Sequence, residues 1–261
     1  MLRFGLIGYG AIGRRLVEEV RAGKAGAVEL AGVLLRPDQQ EEAVPGVHSL
    51  EELLALEPDV VLEAAGPEAA REHGAAILGR KMDFAIASAG ALADDGLLAQ
   101  LQEAARASGA RLVVPAGAIG AIDSLAAMRL AGLKSVLYRS IKPPAAWAGS
   151  RAADLCDLER LEVREQFFHG SAREAAATFP RNANVAAVVG LAGIGLDDTC
   201  VELVADPGAT RNRHEIEAEG AAGHFRFCVE GFASDDNPRT SLLTVYSLLR
   251  YLTNRASAIV F

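Results

Sequence analysis

The feature that most constrains the fold is a glycine-rich segment close to the N-terminus. Residues 8–13 read GYGAIG, after a strand-like run at 3–7 and before a helical pattern at about 11–22. In a GxGxxG segment placed in this way, the first glycine permits a tight turn, the second lets the backbone approach a pyrophosphate, and the third lets the helix pack close to the strand. The segment predicts a dinucleotide site whose contacts are Gly8, Gly10, Ala11, Ile12 and Gly13.

The first part of the chain then alternates short apolar runs with helical patterns. Apolar runs occur at 28–35, 59–65, 82–88 and 111–116. Near-continuous apolar runs are typical of parallel strands that are covered on both faces. Because crossovers between parallel strands are right-handed, we expect a doubly wound parallel sheet, the Rossmann arrangement, in residues 1–117.

The pattern changes after about residue 118. Strand patterns occur at 135–141, 162–168, 199–205, 214–219 and 224–229, and the last two are joined by GAAG at 220–223, a hairpin signal. We therefore expect a second α+β domain with an open mixed sheet at 118–239. The apolar helical pattern near the end of the chain predicts that a C-terminal helix within 240–261 packs back on the first domain.

Charge and composition exclude several classes of partner. The 261 residues contain 26 Lys and Arg against 34 Asp and Glu, a formal net charge of −8. An acidic chain is a poor ligand for nucleic acid or for an anionic membrane. The three cysteines show no CxxC spacing, and the histidine spacings show no metal cluster, so we expect neither a disulfide framework nor a metal site. Neither a signal peptide nor a long apolar span is apparent, which favours the cytoplasm.

The end of the predicted second strand bears on the choice of cofactor. An acidic residue there binds the ribose 2′-hydroxyl of NAD, but this sequence has Arg36. A guanidinium suits the 2′-phosphate of NADP. We predict that NADP is accepted alongside NAD, the alternative being that Arg36 is a solvated loop residue.

Several further segments carry a resemblance that covers essentially the whole chain. In this order and at these intervals, the chain resembles the L-aspartate dehydrogenase family. The segments are GYGAIG at 8–13, GAIGAID at 117–123, GSAREAA at 170–176, NANVAA at 182–187, His214, and NPRTS at 237–241.

The resemblance implies an oxidoreductase that acts on a CH–NH2 group. Family members oxidise L-aspartate to iminoaspartate with NAD or NADP; the imine hydrolyses to oxaloacetate and ammonia or feeds NAD synthesis. The resemblance further implies a homodimer with a catalytic second domain. It makes His214 the active-site histidine and places Ala118 and Asn184 at the nicotinamide cofactor. Without the resemblance, Ala118 would be packing at a helix entry, and Asn184 would be a helix cap.

A histidine suits the proton transfer that this reaction requires. The amine must be neutral before hydride leaves Cα, and an imidazole with an ordinary pKa of about 6.5 accepts a proton near neutral pH. Position alone makes His214 a solvent-facing strand residue, because its neighbours at 211–215 are polar. The resemblance favours the catalytic role.

The two carboxylates of the substrate require cationic or N–H donors. Lys142 matches a basic residue of the family, and Arg239 and Thr240 precede the last helix, where hydroxyls and free amides can bind an anion. The alternatives are a solvated lysine at 142 and a simple helix cap at 239–240.

Two other functions remain open from the sequence. One is a reductase or dehydrogenase related to dihydrodipicolinate reductase or homoserine dehydrogenase, because fold alone does not fix the substrate. The other is a nucleotide-sensing module without turnover.

Overall fold

The computed structural model describes residues 1–180, 182–234 and 237–261, with side chains described outside 233–240. The chain forms two compact units. The first combines Met1–Pro115 with Thr244–Phe261, and the second is the continuous stretch Ala116–Leu243. The first unit is therefore made from both ends of the chain.

The first unit contains a six-stranded sheet in the order β3-β2-β1-β4-β5-β6, in which all paired strands are parallel. This is the order of a Rossmann sheet, and it confirms the predicted fold class of the first part of the chain. The strands are β1 (Leu2–Ile7), β2 (Val28–Leu34), β3 (Gly46–Val47), β4 (Val60–Glu63), β5 (Asp83–Ile86) and β6 (Leu112–Val113).

The helices of this unit include the last helix of the chain. They are α1 (Ala11–Arg21), α2 (Leu50–Ala55), α3 (Pro67–Gly79), α4 (Asp95–Ser108) and α9 (Leu242–Ala256), with a 3-10 turn at Ala89–Ala93. Val245, Leu248 and Leu252 of α9 lie in the same buried core as Phe4 of β1 and Leu16 of α1. The burial of these side chains fixes α9 to the first unit.

The second unit contains a five-stranded mixed sheet in the order β11-β10-β7-β9-β8. β7 and β9 are parallel and the other pairs are antiparallel, which confirms the expected mixed sheet. Its strands are β7 (Leu133–Lys142), β8 (Glu165–Ser171), β9 (Cys200–Ala205), β10 (Asn212–Gly220) and β11 (Gly223–Gly231). A short hairpin, β12 (Ala233–Ser234) and β13 (Asn237–Ser241), follows.

Helices of the second unit cover one face of this sheet. Helix α5 packs against β7 and β10, and α7 packs against β9. The helices are α5 (Ile122–Ala131), α6 (Pro144–Trp147), α7 (Ala172–Thr178) and α8 (Asn184–Ala192), with a 3-10 turn at Arg151–Asp154. Within the described part of the chain, no helix is long and apolar enough to cross a membrane.

Two sequence-based expectations differ from the structure. The strand predicted at 111–116 is only two residues long, because β6 pairs with β5 alone at the sheet edge and Pro115 has no N–H to continue the ladder. The strand predicted at 162–168 begins three residues later, at Glu165.

Candidate active site

The glycine segment of the first unit forms a tight turn between β1 and α1. Gly8 has a φ of +92°, and a Cβ at this position would approach Ala65 backbone atoms within 3 Å. A Cβ at Gly13 would lie 2.3 Å from the Gly8 carbonyl oxygen. A Cβ at Gly10, by contrast, would meet no described atom within 4 Å. Two of the glycines are therefore required for packing, and Gly10 faces open space.

That open space is a cleft of about 990 Å³, lined by Gly8, Gly10 and Arg36 among others. Helix α1 begins beside it at Ala11, and no described side chain caps its N-terminus. The first turn of a helix carries N–H groups without helical partners and a partial positive charge. Ala11 and Ile12 therefore offer N–H groups of the kind that bind a phosphate. Arg36 is exposed and lies just after the end of β2. In this fold, residues at that position contact the 2′-hydroxyl or 2′-phosphate of the cofactor ribose.

These features fit a dinucleotide. The glycine turn leaves room for a pyrophosphate at Gly10, the start of α1 supplies N–H donors, and the cleft is large enough for a ligand of this class. His48 and His73 also line the cleft, although the sequence assigned them no role.

A buried carboxylate, missed by the sequence analysis, connects two loops in the first unit. Glu63, at the end of β4, is fully buried and accepts hydrogen bonds from the Ala65, Gly66 and Ser88 backbone N–H groups at 2.6–3.0 Å. Burial raises the pKa of Glu63, and these N–H donors act in the opposite direction. The signal available in the sequence was an acidic residue at the end of an otherwise apolar strand.

In the second unit, polar side chains share the helix-covered face of the sheet. Buried residues alternate along β7 at Tyr138, Ser140 and Lys142, and along β10 at Asn212 and His214. Ser140 lies directly opposite His214 in the antiparallel pair. The register brings together side chains that are separated by more than 70 residues in sequence.

His214 is buried, and the local expectation of a solvent-facing strand histidine was wrong. Only 4% of it is exposed, because Asn212, His214 and Ile216 alternate toward the covered face while Arg213 and Glu215 point to the other. Burial, with a smaller contribution from Lys142, lowers the His214 pKa to about 3. The imidazole of His214 is therefore neutral in the free enzyme at neutral pH.

Lys142 is buried as well, so it is not a solvated lysine. Its Nζ lies 4.6 Å from the centre of the Trp147 ring, and no described carboxylate lies within ion-pair distance. Burial lowers its pKa to about 8. The Trp147 indole N–H donates to the Val204 carbonyl oxygen at 2.9 Å, which fixes the ring beside the lysine. The result is a desolvated cation on the same sheet face as a neutral imidazole.

The remaining predicted site residues lie in the second unit. Ala118 is buried. Asn184 is the first residue of α8, whose cap position is Ala183, so Asn184 is not the cap residue. Arg239 and Thr240 belong to β13, but their side chains lie outside the described residues.

The Rossmann sheet, its glycine turn and the second mixed-sheet unit define a two-unit oxidoreductase that uses NAD or NADP. Two family models match the chain on either side of the boundary after Pro115, and the second of them also includes most of α9. Residues 8–115 match the NAD-binding domain of homoserine dehydrogenase, and residues 123–255 match the C-terminal domain of aspartate dehydrogenase.

Whole-chain comparisons narrow the class. The chain is 46% identical to L-aspartate dehydrogenase of Ruegeria pomeroyi, over 99% of this chain and 94% of the relative. The structure of aspartate dehydrogenase from Thermotoga maritima, 31% identical, superposes with a TM-score of 0.84 over 100% of this chain and 99% of that one. The chain belongs to the aspartate dehydrogenase family.

More distant structures share the fold alone. Dihydrodipicolinate reductase from Paenisporosarcina is 19% identical, with a TM-score of 0.57 over 97% of this chain and 94% of that one.

Proposed function

We propose that this enzyme oxidises L-aspartate to iminoaspartate with NAD or NADP, and that water then converts the imine to oxaloacetate and ammonia. The observation that carries the proposal is the buried pair of Lys142 and His214 on one sheet face, in a chain of this family. A cation can bind one carboxylate of an amino dicarboxylate, and a neutral imidazole can accept a proton from its ammonium group.

Lys142 is the proposed partner of a substrate carboxylate. It is largely protonated at neutral pH, it is desolvated, and it has no described carboxylate partner. A bound carboxylate would therefore gain a strong charge-assisted hydrogen bond in a site of low polarity. We propose Arg239 and Thr240 as further donors because their segment matches the family.

His214 is the proposed proton acceptor. The substrate ammonium must lose a proton before Cα can give up hydride, and the bound nicotinamide supplies the hydride acceptor. The free imidazole is neutral and can take that proton. The substrate's two negative charges favour the imidazolium form, so binding raises the pKa of His214 from its low value.

The test is the absorbance of reduced cofactor with a panel of amino and hydroxy acids. We expect turnover with L-aspartate and, in reverse, with oxaloacetate plus ammonia. His214→Asn should lower kcat by about 10²–10⁴-fold, the usual contribution of a general base, and should leave cofactor affinity unchanged. The exposed His224→Asn provides the matched control. Turnover of another amino or hydroxy acid without L-aspartate activity would refute the proposal.

Arg36 is proposed to contact the 2′-phosphate of NADP, and Ala118 and Asn184 to contact the nicotinamide end of the cofactor. The KM ratio for NADP and NAD should shift toward NAD by at least about tenfold in Arg36→Ala, the loss of one charge-assisted contact. Arg80→Ala, beyond the far end of α3, is the control. An unchanged ratio would exclude Arg36 from cofactor selection.

The family resemblance also supports a homodimer built on the second domain, with domain limits near 1–117 and 118–239, and a role in supplying iminoaspartate for NAD synthesis. The three free thiols are compatible with the reducing cytoplasm. Light scattering coupled to gel filtration should give twice the chain mass of 27.3 kDa.

A further inference from the structure

Tyr138 makes the closest polar contact to His214. Its Oη lies 2.7 Å from the His214 Nδ1, and the two rings are nearly parallel, with 10° between their planes. Tyr138 is completely buried. No hydrogen bond from a described residue reaches the other ring nitrogen, Nε2. The phenol therefore determines what Nε2 can do, because the two nitrogens of a neutral imidazole share one proton.

The hydrogen bond can run in either direction, with opposite consequences. If the phenol donates to Nδ1, the ring proton lies on Nε2, which can then only donate. If Nδ1–H donates to the phenol oxygen, Nε2 is an acceptor and can take a proton from an ammonium group. The second arrangement requires another acceptor for the phenol proton.

Ser140 supplies a candidate acceptor. It lies two residues further along β7 on the same face, and its Oγ is buried with no hydrogen-bond partner among the described residues. It lies near enough to the phenol to influence its pKa, which burial raises and Ser140 lowers. A hydrogen bond between the two hydroxyls would give Oγ a partner, and an unpaired buried hydroxyl costs free energy. Either direction of these hydrogen bonds pairs all three groups, but only the direction Nδ1–H to Oη and phenol O–H to Oγ leaves Nε2 without a proton, as a proton acceptor must be.

We infer that Tyr138 and Ser140 are positioning residues that hold the His214 proton on Nδ1 and leave Nε2 free to accept a proton. During turnover, Nε2 takes the proton of the substrate ammonium, the Nδ1–H bond to Tyr138 persists, and the ring becomes an imidazolium. The inference rests on the proposed function, which requires Nε2 to accept a proton, but the position of the ring proton in the free enzyme is measured without turnover.

The direct test is ¹⁵N NMR of the intact enzyme, labelled at its histidines and observed at neutral pH. His214→Gln identifies the His214 signals by their disappearance. We expect the Nδ1 signal in the range of a protonated nitrogen and the Nε2 signal in the range of an unprotonated one. The reverse pattern would overturn the inference.

Two variants distinguish an effect of the Tyr138 and Ser140 hydroxyl groups on the ring proton from an effect of packing alone. Ser140→Ala removes the acceptor, so the phenol should turn to Nδ1 and the proton should move to Nε2. Tyr138→Phe keeps the ring but removes the acceptor of Nδ1–H and should also shift the proton. Ser135→Ala, at an exposed position of the same strand, should leave the ¹⁵N signals unchanged. If folded Ser140→Ala gives the same ¹⁵N signals as the wild type, Ser140 does not take part in the hydrogen bonding that holds the proton on Nδ1.

Kinetics give a second readout. With L-aspartate, Tyr138→Phe and Ser140→Ala should lower kcat by about 10–100-fold, since a wrong histidine tautomer removes proton transfer. The KM for cofactor should not change. An Nδ1–H pattern in an enzyme that does not oxidise L-aspartate would support the inference and refute the proposed function. Normal L-aspartate turnover with the proton on Nε2 would refute the inference alone.

Discussion

At the scale of single residues, the second unit holds two ionisable side chains out of water. Burial disfavours the charged form of both, so it lowers the pKa of His214 to about 3 and that of Lys142 to about 8. A cation kept in this state is destabilising until an anion binds. If Lys142 binds a substrate carboxylate as proposed, substrate binding recovers part of this free energy.

The buried histidine should make the fold sensitive to acid. The unfolded chain binds a proton on His214 below about pH 6.5 and the folded chain only below about pH 3, so stability falls as pH decreases through this window. Between pH 7 and pH 5, a pKa shift of this size lowers the free energy of unfolding by about 2 kcal/mol. His214→Gln should not show this part of the decrease. Urea unfolding at the two pH values measures this difference. The exposed His224→Gln should keep the wild-type loss, and an equal loss in both variants would contradict the prediction.

At the scale of elements, the glycines of the turn from β1 to α1 differ in their surroundings. Gly13 is needed because helix and strand approach closely, whereas Gly10 lies at an extended backbone angle with free space where a side chain would be. Neighbouring positions of one motif therefore serve different purposes.

Alanine substitutions should separate these purposes. Gly13→Ala would place a methyl group 2.3 Å from the Gly8 carbonyl oxygen, so it should lower the unfolding free energy by about 1–3 kcal/mol and weaken cofactor binding. Gly10→Ala should leave the melting temperature unchanged but weaken NADH binding by at least about tenfold, because its methyl group occupies the pyrophosphate approach. Thermal melts and NADH fluorescence titrations measure both quantities. Equal loss of stability in the two variants would contradict this separation.

The sequence predicts elements better than it predicts the site. The doubly wound parallel sheet and the hairpin at 220–223 were predicted from local patterns, and the structure confirms both. The face on which His214 lies depends on the strand that pairs with it, and Tyr138 is 76 residues away. Alternate positions 212, 214, 216 and 218 of β10 are buried. This period of two was visible in the sequence, but the charged residues at the positions between them made the whole segment look exposed. The environment of His214 is therefore determined by strand pairing, which local sequence patterns do not encode.

At the scale of the whole molecule, the chain leaves the first unit after Pro115 and returns at Thr244. The returning helix, α9, contributes Val245, Leu248, Leu249 and Leu252 to the core of the parallel-sheet unit. The fold of the first unit therefore depends on residues at the far end of the sequence.

Truncating one core residue of α9 should test this dependence. Leu248 is fully buried, so Leu248→Ala should lower the unfolding free energy by about 2–5 kcal/mol and reduce cofactor binding at elevated temperature. Leu130→Ala, at a position that is 92% exposed, is the matched control. Denaturant unfolding followed by NADH fluorescence measures the change. Equal stability of the two variants would show that α9 contributes little to the first unit.

The return of α9 also sets an order of events during synthesis on the ribosome. The second unit is one uninterrupted stretch, so all its residues have been translated while the last helix is still to be made. The first unit begins earlier but lacks part of its core until α9 is translated. The nascent chain therefore exposes the α9-facing surface of the N-terminal segment until α9 is made, and the nucleotide-binding unit is complete only after α9 has left the ribosome.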